Sequence, residues 1–127
     1  MSKKLLVCIG DGDNIGDTIE LHLLSENLEE AGKFSFQVKT AMTKIAELAQ
    51  HEMEASLVYV AGDDICFVVP ANKNFTSCLV FYSDLFLEIT GRTMSFGVGR
   101  NSIEALISLR KAKVSGKGRV IVFGGIY

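Results

Sequence analysis

The chain has 127 residues, 48% of them hydrophobic and 22% charged, with a formal net charge of −2. That balance fits one soluble globular domain, residues 1–127, large enough to bury a core without disulfides, and it excludes a disordered or low-complexity chain. The slight acidity leaves no general basic footprint, so stable nucleic-acid binding is not expected.

Lys4 to Ile9 is continuously apolar after its first residue, the pattern of a central strand buried on both faces. It runs into Gly10-Asp11-Gly12-Asp13-Asn14-Ile15-Gly16. Ile15, Ile19, His22, Leu23 and Leu28 then recur near helical spacing, and Gly32 is expected to end that helix as a C-terminal glycine. A second helical pattern takes in Phe34, Val38, Ala41, Met42, Ile45, Ala49 and Met53. Ala55–Ala61 and Ile65–Val69 are apolar and β-branched runs joined by Gly62-Asp63-Asp64, which reads as a hairpin broken at Pro70. Phe75, Cys78, Leu79, Tyr82, Leu85, Phe86 and Ile89 mark a third helix, closed at Gly91. Thr93 to Val98 is a strand, Ile103 to Leu109 a short helix, and Val120 to Phe123 a last strand. Between them lies a basic run carrying Lys111, Lys113, Lys117 and Arg119.

The order β-α-α-β-β-α-β-α-β contains a βαββαβ core, the ferredoxin-like plan, with an extra helix after the first and an αβ tail. The expected class is α+β with a mainly antiparallel sheet and the first strand central. In that plan the end of strand one and the hairpin tip lie at the same sheet edge, with strands ~5 Å apart. Asp11 then stands within ligand reach of Asp63 or Asp64. Carboxylates gathered so closely repel one another unless a positive group intervenes, and a divalent cation is the economical one. Hard oxygen donors with no Cys/His cluster select Mg²⁺ or Mn²⁺, and two such ions ~4 Å apart suit phosphoryl transfer. Gly10, Gly12 and Gly16 would let a ligand approach the backbone closely, and the basic run could hold outer phosphates.

Other motifs fail. A calcium loop starting at Asp11 would need ligands where Ile15 and His22 stand, and a dinucleotide fingerprint would need glycine in place of Ile15. His22 and His51 have no nucleophile to serve, and Ser95 and Ser102 lack a base. A phosphoacceptor receiver or a haloacid-dehalogenase-type phosphatase would need its late acid followed by a loop and helix, whereas Asp64 runs straight into Ile65–Val69. An RNA-recognition motif shares the βαββαβ plan but wants a basic, aromatic sheet. Cys8, Cys66 and Cys78 show no pairing pattern, which suggests reduced thiols. No run is long enough to span a membrane and none reads as a signal peptide, so a cytoplasmic location is expected.

Asp11-Gly12-Asp13 after a buried strand, Ala61-Gly62-Asp63-Asp64 in a hairpin, Ser95-Phe96-Gly97-Val98-Gly99 on the next strand, and Ala112-Lys113 with Gly116-Lys117-Gly118-Arg119 before the last resemble the palm of GGDEF-type nucleotide cyclases. The sequence is most similar to the minimal CRISPR polymerase domain, related to the palm of the type III CRISPR large subunit. The resemblance implies metal binding by Asp11, the Gly12 carbonyl, Asp63 and Asp64, with Asp11, Asp63 and Asp64 catalytic and Asp64 a candidate proton acceptor. It implies a nucleotide site formed by Asp13, Asn14, Ile15, Gly16 and Gly62, with Lys113 gripping phosphate and Lys117 and Arg119 in support. Ala61, Ile65 and Gly16 depart from the diguanylate cyclase pattern, and no Arg-x-x-Asp inhibitory motif precedes the hairpin. The implied activity is condensation of nucleoside triphosphates, ATP by analogy, into a cyclic di- or oligonucleotide with release of pyrophosphate, using a two-ion Mg²⁺ or Mn²⁺ site. A cyclic product needs two nucleotides facing each other, which implies a homodimer with opposed active sites. Prokaryotic antiviral signalling through a separate effector protein is the implied setting. An inactive nucleotide-binding palm, or a phosphoacceptor receiver domain, is the alternative.

Overall fold

A computed structural model describes residues 4–72 and 74–125. Its elements run β1 (Leu5–Gly12), α1 (Ile15–Leu24), α2 (Leu28–Glu52), β2 (Ser56–Ala61), β3 (Asp64–Pro70), α3 (Phe75–Thr90), β4 (Met94–Gly99), α4 (Ser102–Val114) and β5 (Val120–Val122), followed by a 3-10 turn at Phe123–Gly125. The strands form one sheet in the order β2-β3-β1-β4-β5. β1 is central and antiparallel to both β3 and β4; only β5, reached through α4, lies parallel to its neighbour. The fold is therefore the expected palm, and the antiparallel pairing on both sides of β1 excludes the parallel sheet of a receiver domain.

Side-chain alternation sorts the sheet into two faces. Leu6 and Cys8 on β1, Ile65, Phe67 and Val69 on β3, and Met94, Phe96 and Val98 on β4 join Phe34, Val38, Met42 and Ile45 of α2 and Leu79, Tyr82 and Phe86 of α3 in the main core. Burying such side chains is worth about 1.5–3 kcal/mol each before the entropy of ordering is charged. The opposite face carries Ile9 and Cys66 against Ala105, with Val7 and Leu109 beside them. By the same alternation Asp11, Asp64 and Ser95 belong to this second, α4-covered face. α4 can lie close there because β4 presents Gly97 and Gly99; a Cβ at Gly97 would collide with the backbone of Leu109 and Ala105.

Three local expectations change. Gly32 does not end a helix: it lies inside α2, with open space where a Cβ would be. The break falls earlier, at Glu26, which has positive φ, and Asn27, whose side chain accepts from the Glu30 amide at 3.3 Å. A capping side chain and acids at Glu29 and Glu30 outweigh the cost of about 1 kcal/mol for an exposed helical glycine. α4 runs on to Val114, so Lys111 and Lys113 are in its last turn. Gly10 and Gly12 make room for internal packing, against Phe96 and Met94 and against Ile15 and Phe86 respectively; only Gly16 is open.

Cys8 and Cys66 are buried, and none of the three cysteines is in a disulfide. Burial, with Cys66 nearby, pushes the Cys8 thiol up to about 12, so it is inert as a nucleophile.

Candidate active site

The hairpin and the end of β1 build the site together. Ala61 pairs with Asp64, leaving Gly62 and Asp63 as a two-residue turn in which Gly62 takes φ 59°. The register sets Asp64 opposite Asp11, and the Gly12 amide donates to the Asp63 carbonyl at 3.0 Å, locking the turn to β1. As a result Asp11, Asp63 and Asp64 each offer an oxygen within 4.8 Å of the others.

The Lys113 ammonium reaches into this region. Lys113 Nζ lies 2.9 Å from Asp11 Oδ2 and 2.7 Å from Asp13 Oδ1, and donates to the carbonyls of Asp11 at 3.1 Å and Gly12 at 3.0 Å. Asp13 is 1% exposed. Its carboxylate also accepts from Thr93 Oγ1 at 2.7 Å, from Ser95 Oγ at 3.0 Å and from the Gly118 amide at 2.9 Å. Burial opposes its ionisation, but the hydrogen bonds from Lys113, Thr93 and Gly118 hold the carboxyl below its usual range. Burial likewise disfavours the Lys113 ammonium, and its bonds to Asp13 and Asp11 more than compensate, raising its pKa.

Asp63 and Asp64 have no such partner among the described residues. Burial and the Asp11 charge raise Asp63; burial, a shared hydrogen bond with Asp11 and the charges of Asp11 and Asp63 push Asp64 up to about 7. A cluster in this state binds either a proton or a cation. Three oxygen donors, with no Cys or His in the cluster, suit Mg²⁺ or Mn²⁺.

Two concavities meet at Asp63, while Asp64 lies outside both linings. A polar cleft of about 440 Å³ includes Asp11, Asn14, Gly16, Arg110, Lys113 and Lys117 in its lining. A more apolar groove of about 420 Å³ runs between α1, α2 and the hairpin, lined by Ile15, Ile19, Val38, Met42 and Val60, with Ser35, Lys39 and Thr43 at its polar points. Ile15 and Asp63 belong to both. Of the residues proposed from sequence, Asp11, Gly12, Asn14, Ile15, Gly16, Asp63, Lys113 and Lys117 line the cleft, and Gly62 lines the groove. Asp13 is packed beneath the site rather than lining it. Arg119 lies outside the two linings; its Nε reaches the Lys117 carbonyl at 3.4 Å and its own carbonyl accepts from Phe96.

Sequence reasoning missed the groove side chains of α2, whose three-to-four-residue spacing reads only as core, and Arg110, one turn before Lys113 on α4. It also missed Tyr59, beside Cys66 and the acids: a bulge between Leu57 and Tyr59 shifts the register there, which no local pattern signals.

No curated protein matches the chain. Among solved structures it is similar to the GGDEF domain of DgcB from Caulobacter crescentus in complex with c-di-GMP, at 14% identity and TM-score 0.64, covering 93% of this chain and 77% of that one. It is similar to the Csm1–Csm4 cassette in complex with cA4, at 21% identity and TM-score 0.69, covering 95% of this chain but only 21% of the other. The same cassette in complex with one ATP aligns at 21% identity and TM-score 0.66, covering 92% of this chain and 20% of that one. The fold is thus one shared with nucleotide cyclases, and no helix among the described residues is long and apolar enough to cross a membrane. The minimal CRISPR polymerase domain matches residues 7–123, and the chain belongs to that family.

Proposed function

We propose that this domain is a metal-dependent nucleotidyltransferase that condenses nucleoside triphosphates, ATP foremost, into a cyclic di- or oligonucleotide messenger. The observation that carries this reading is the convergence of Asp11, Asp63 and Asp64, with Asp11 and Asp63 lining a polar cleft and Asp63 also lining the adjoining apolar groove. The dimensions and chemistry of the pair suit a nucleotide: the base in the groove against Ile15, Ile19, Val38 and Met42, and the phosphates in the cleft. Mg²⁺ or Mn²⁺ held by Asp11, Asp63 and Asp64, as a two-ion site with the nucleotide, would neutralise phosphate charge and ease ionisation of the attacking hydroxyl. In the reaction a ribose hydroxyl oxygen bonds to the α-phosphorus of a second nucleotide, the bond to the bridging oxygen breaks, pyrophosphate leaves, and the hydroxyl proton passes to solvent or to a carboxylate such as Asp64.

The protein's own contribution is positioning. The backbone pairing of β1 with β3 sets the carboxylate spacing, and the Asp13–Lys113 tie fixes the end of β1. Each chain offers one such cleft, so cyclisation calls for two chains with their acidic edges opposed, that is, a homodimer. The product would be read by a separate effector protein, and antiviral signalling in a prokaryotic cytoplasm is the setting that suits such a messenger. Incubation with each nucleoside triphosphate and Mg²⁺ or Mn²⁺ should release pyrophosphate and leave a phosphatase-resistant product. The reading is falsified if no nucleotide is consumed with either metal and Asp63→Ala binds nucleotides as the wild type does. Sedimentation of the protein with and without nucleotide tests the dimer.

A further inference from the structure

The second face of the sheet is only partly covered. α4 packs over β4, β1 and β5, and toward β3 and β2 the described residues leave the face open. Strand alternation puts Leu5 and Val7 of β1 on it, since Leu6 and Cys8 point into the main core. Register adds Val68 of β3, the partner of Val7, and Tyr59 of β2, the partner of Cys66. The Tyr59 phenol agrees: its pKa is raised by burial and by the nearby Cys66, Asp64 and Asp11, all on this face. Leu106 borders the open part from α4. It lies two turns before Lys113, on the side of the helix that reaches Asp11.

These side chains are apolar yet open to solvent. Leu5 is 54% exposed, Tyr59 43%, Leu106 54%, and Val58 at the bulge of β2 61%. β1, β2 and β3 carry no charged residue except Asp11 and Asp64. An uncharged apolar surface running across three strands to a helix marks an interaction site.

Its features select a second copy of the chain as the occupant. The bulge between Leu57 and Tyr59 distorts the free edge of β2, which works against an added strand from another protein. A face without charge meets its own copy without repulsion, as the self-complementary contact of a twofold dimer requires. Asp11 and Asp64 close one end of this face, so whatever covers it sits beside the acids. Packed sheets lie ~10 Å apart. With the twofold axis along the strands, the acid pairs of two copies stand opposite each other at the same end, with a nucleotide's width between them.

We propose that a second copy of this chain packs, sheet against sheet, on the open face of β1, β2 and β3 beside Leu106. The choice of occupant rests on the functional reading above, which needs two acidic edges opposed.

The test is sedimentation velocity of the whole chain with and without Mg²⁺ and ATP, joined to the assay for phosphatase-resistant product. Leu5→Glu and Leu106→Glu, on two different elements, should each weaken the dimer about a hundredfold or more, because each buries a carboxylate in an apolar contact. Both positions are exposed in the single chain, so circular dichroism melts of the dilute variants should match the wild type. Leu24→Glu, at a leucine of α1 that is 76% exposed, should leave the dimer intact. Cyclic product should fall in the same concentration range as the dimer, while Mn²⁺ affinity of the variants stays at the wild-type value. A wild type that is monomeric with and without nucleotide overturns the proposal. So does a dimer that survives both Leu5→Glu and Leu106→Glu; if that dimer makes cyclic product, the functional reading stands without this interface. A dimer that both variants break, but that consumes no nucleotide, upholds the interface and removes the functional reading.

Discussion

Asp11 on β1 is the register partner of Asp64 on β3, so the backbone itself sets two carboxylates side by side across adjacent strands. Like charges directly opposed in a sheet cost stability, and the fold supplies Asp64 with no cation of its own among the described residues. A site that carries such a penalty is one kept for binding rather than for folding.

Asp64→Asn should therefore stabilise the metal-free protein at pH 8. The gain is no more than about 1 kcal/mol, because Asp64 is partly exposed and water screens the repulsion. The same variant should lose pyrophosphate release with either metal. Thermal melting and a pyrophosphate assay measure the two effects; a variant that melts higher and still turns over would remove Asp64 from the chemistry.

The pH dependence follows from the direction of the shifts. Asp64 is raised from 3.8 to about 7, so between those values the folded state holds a proton that the unfolded state has released. Its contribution is most favourable in acid and declines as the pH rises through that window. Asp13 has the opposite sign: its carboxyl is held low, so its contribution is complete above the ordinary carboxylate range and disappears as the pH falls below it. Asp64→Asn should flatten the decline in metal-free stability between the two Asp64 values. Mn²⁺ affinity of the wild type should rise about tenfold per pH unit below 7 and level off above it, since the metal must displace that proton. Urea melts across pH and Mn²⁺ titration would show whether the cluster titrates in that range.

Asp13→Ala should destabilise the protein by about 3–5 kcal/mol, because it strands the Lys113 ammonium and leaves Thr93, Ser95 and the Gly118 amide short of an acceptor. Asp13→Asn, which keeps the shape and some of the acceptors, should cost less. Equilibrium urea denaturation separates the two; equal and small losses would mean that the tie between β1 and α4 is not structural.

Two glycines should respond in opposite ways. Gly32→Ala faces open space inside α2 and should stabilise by about 0.5–1 kcal/mol. Gly97→Ala drives a Cβ into the backbone of α4 and should cost more than about 3 kcal/mol or prevent folding, because backbone cannot step aside as a side chain can. Circular dichroism melts of the two variants would decide it.

Much of this was legible from residue order alone. The apolar run Leu5–Ile9, the Gly62-Asp63 turn and the long apolar stripe from Phe34 to Met53 are local signals, each written in a period or a turn residue. They suffice for the element order, and element order with ferredoxin-like chirality suffices to bring Asp11 to the hairpin. What failed locally was Gly32, where a strong stop signal lost to the Asn27 cap and to the packing of a continuous helix.

The sequence by itself determined the palm and the three acids, because strand alternation and turn chemistry are properties of neighbouring residues. Only the tertiary structure decided which basic side chain is free to meet a ligand. Along the chain Lys113 reads as one of several basic side chains open to a ligand, yet α4 lies close enough to β1, through the glycines of β4, for its ammonium to bond Asp11 and Asp13. Arg110, one turn away, remains open to the cleft. That difference depends on the distance between two elements remote in sequence, and no local pattern encodes it.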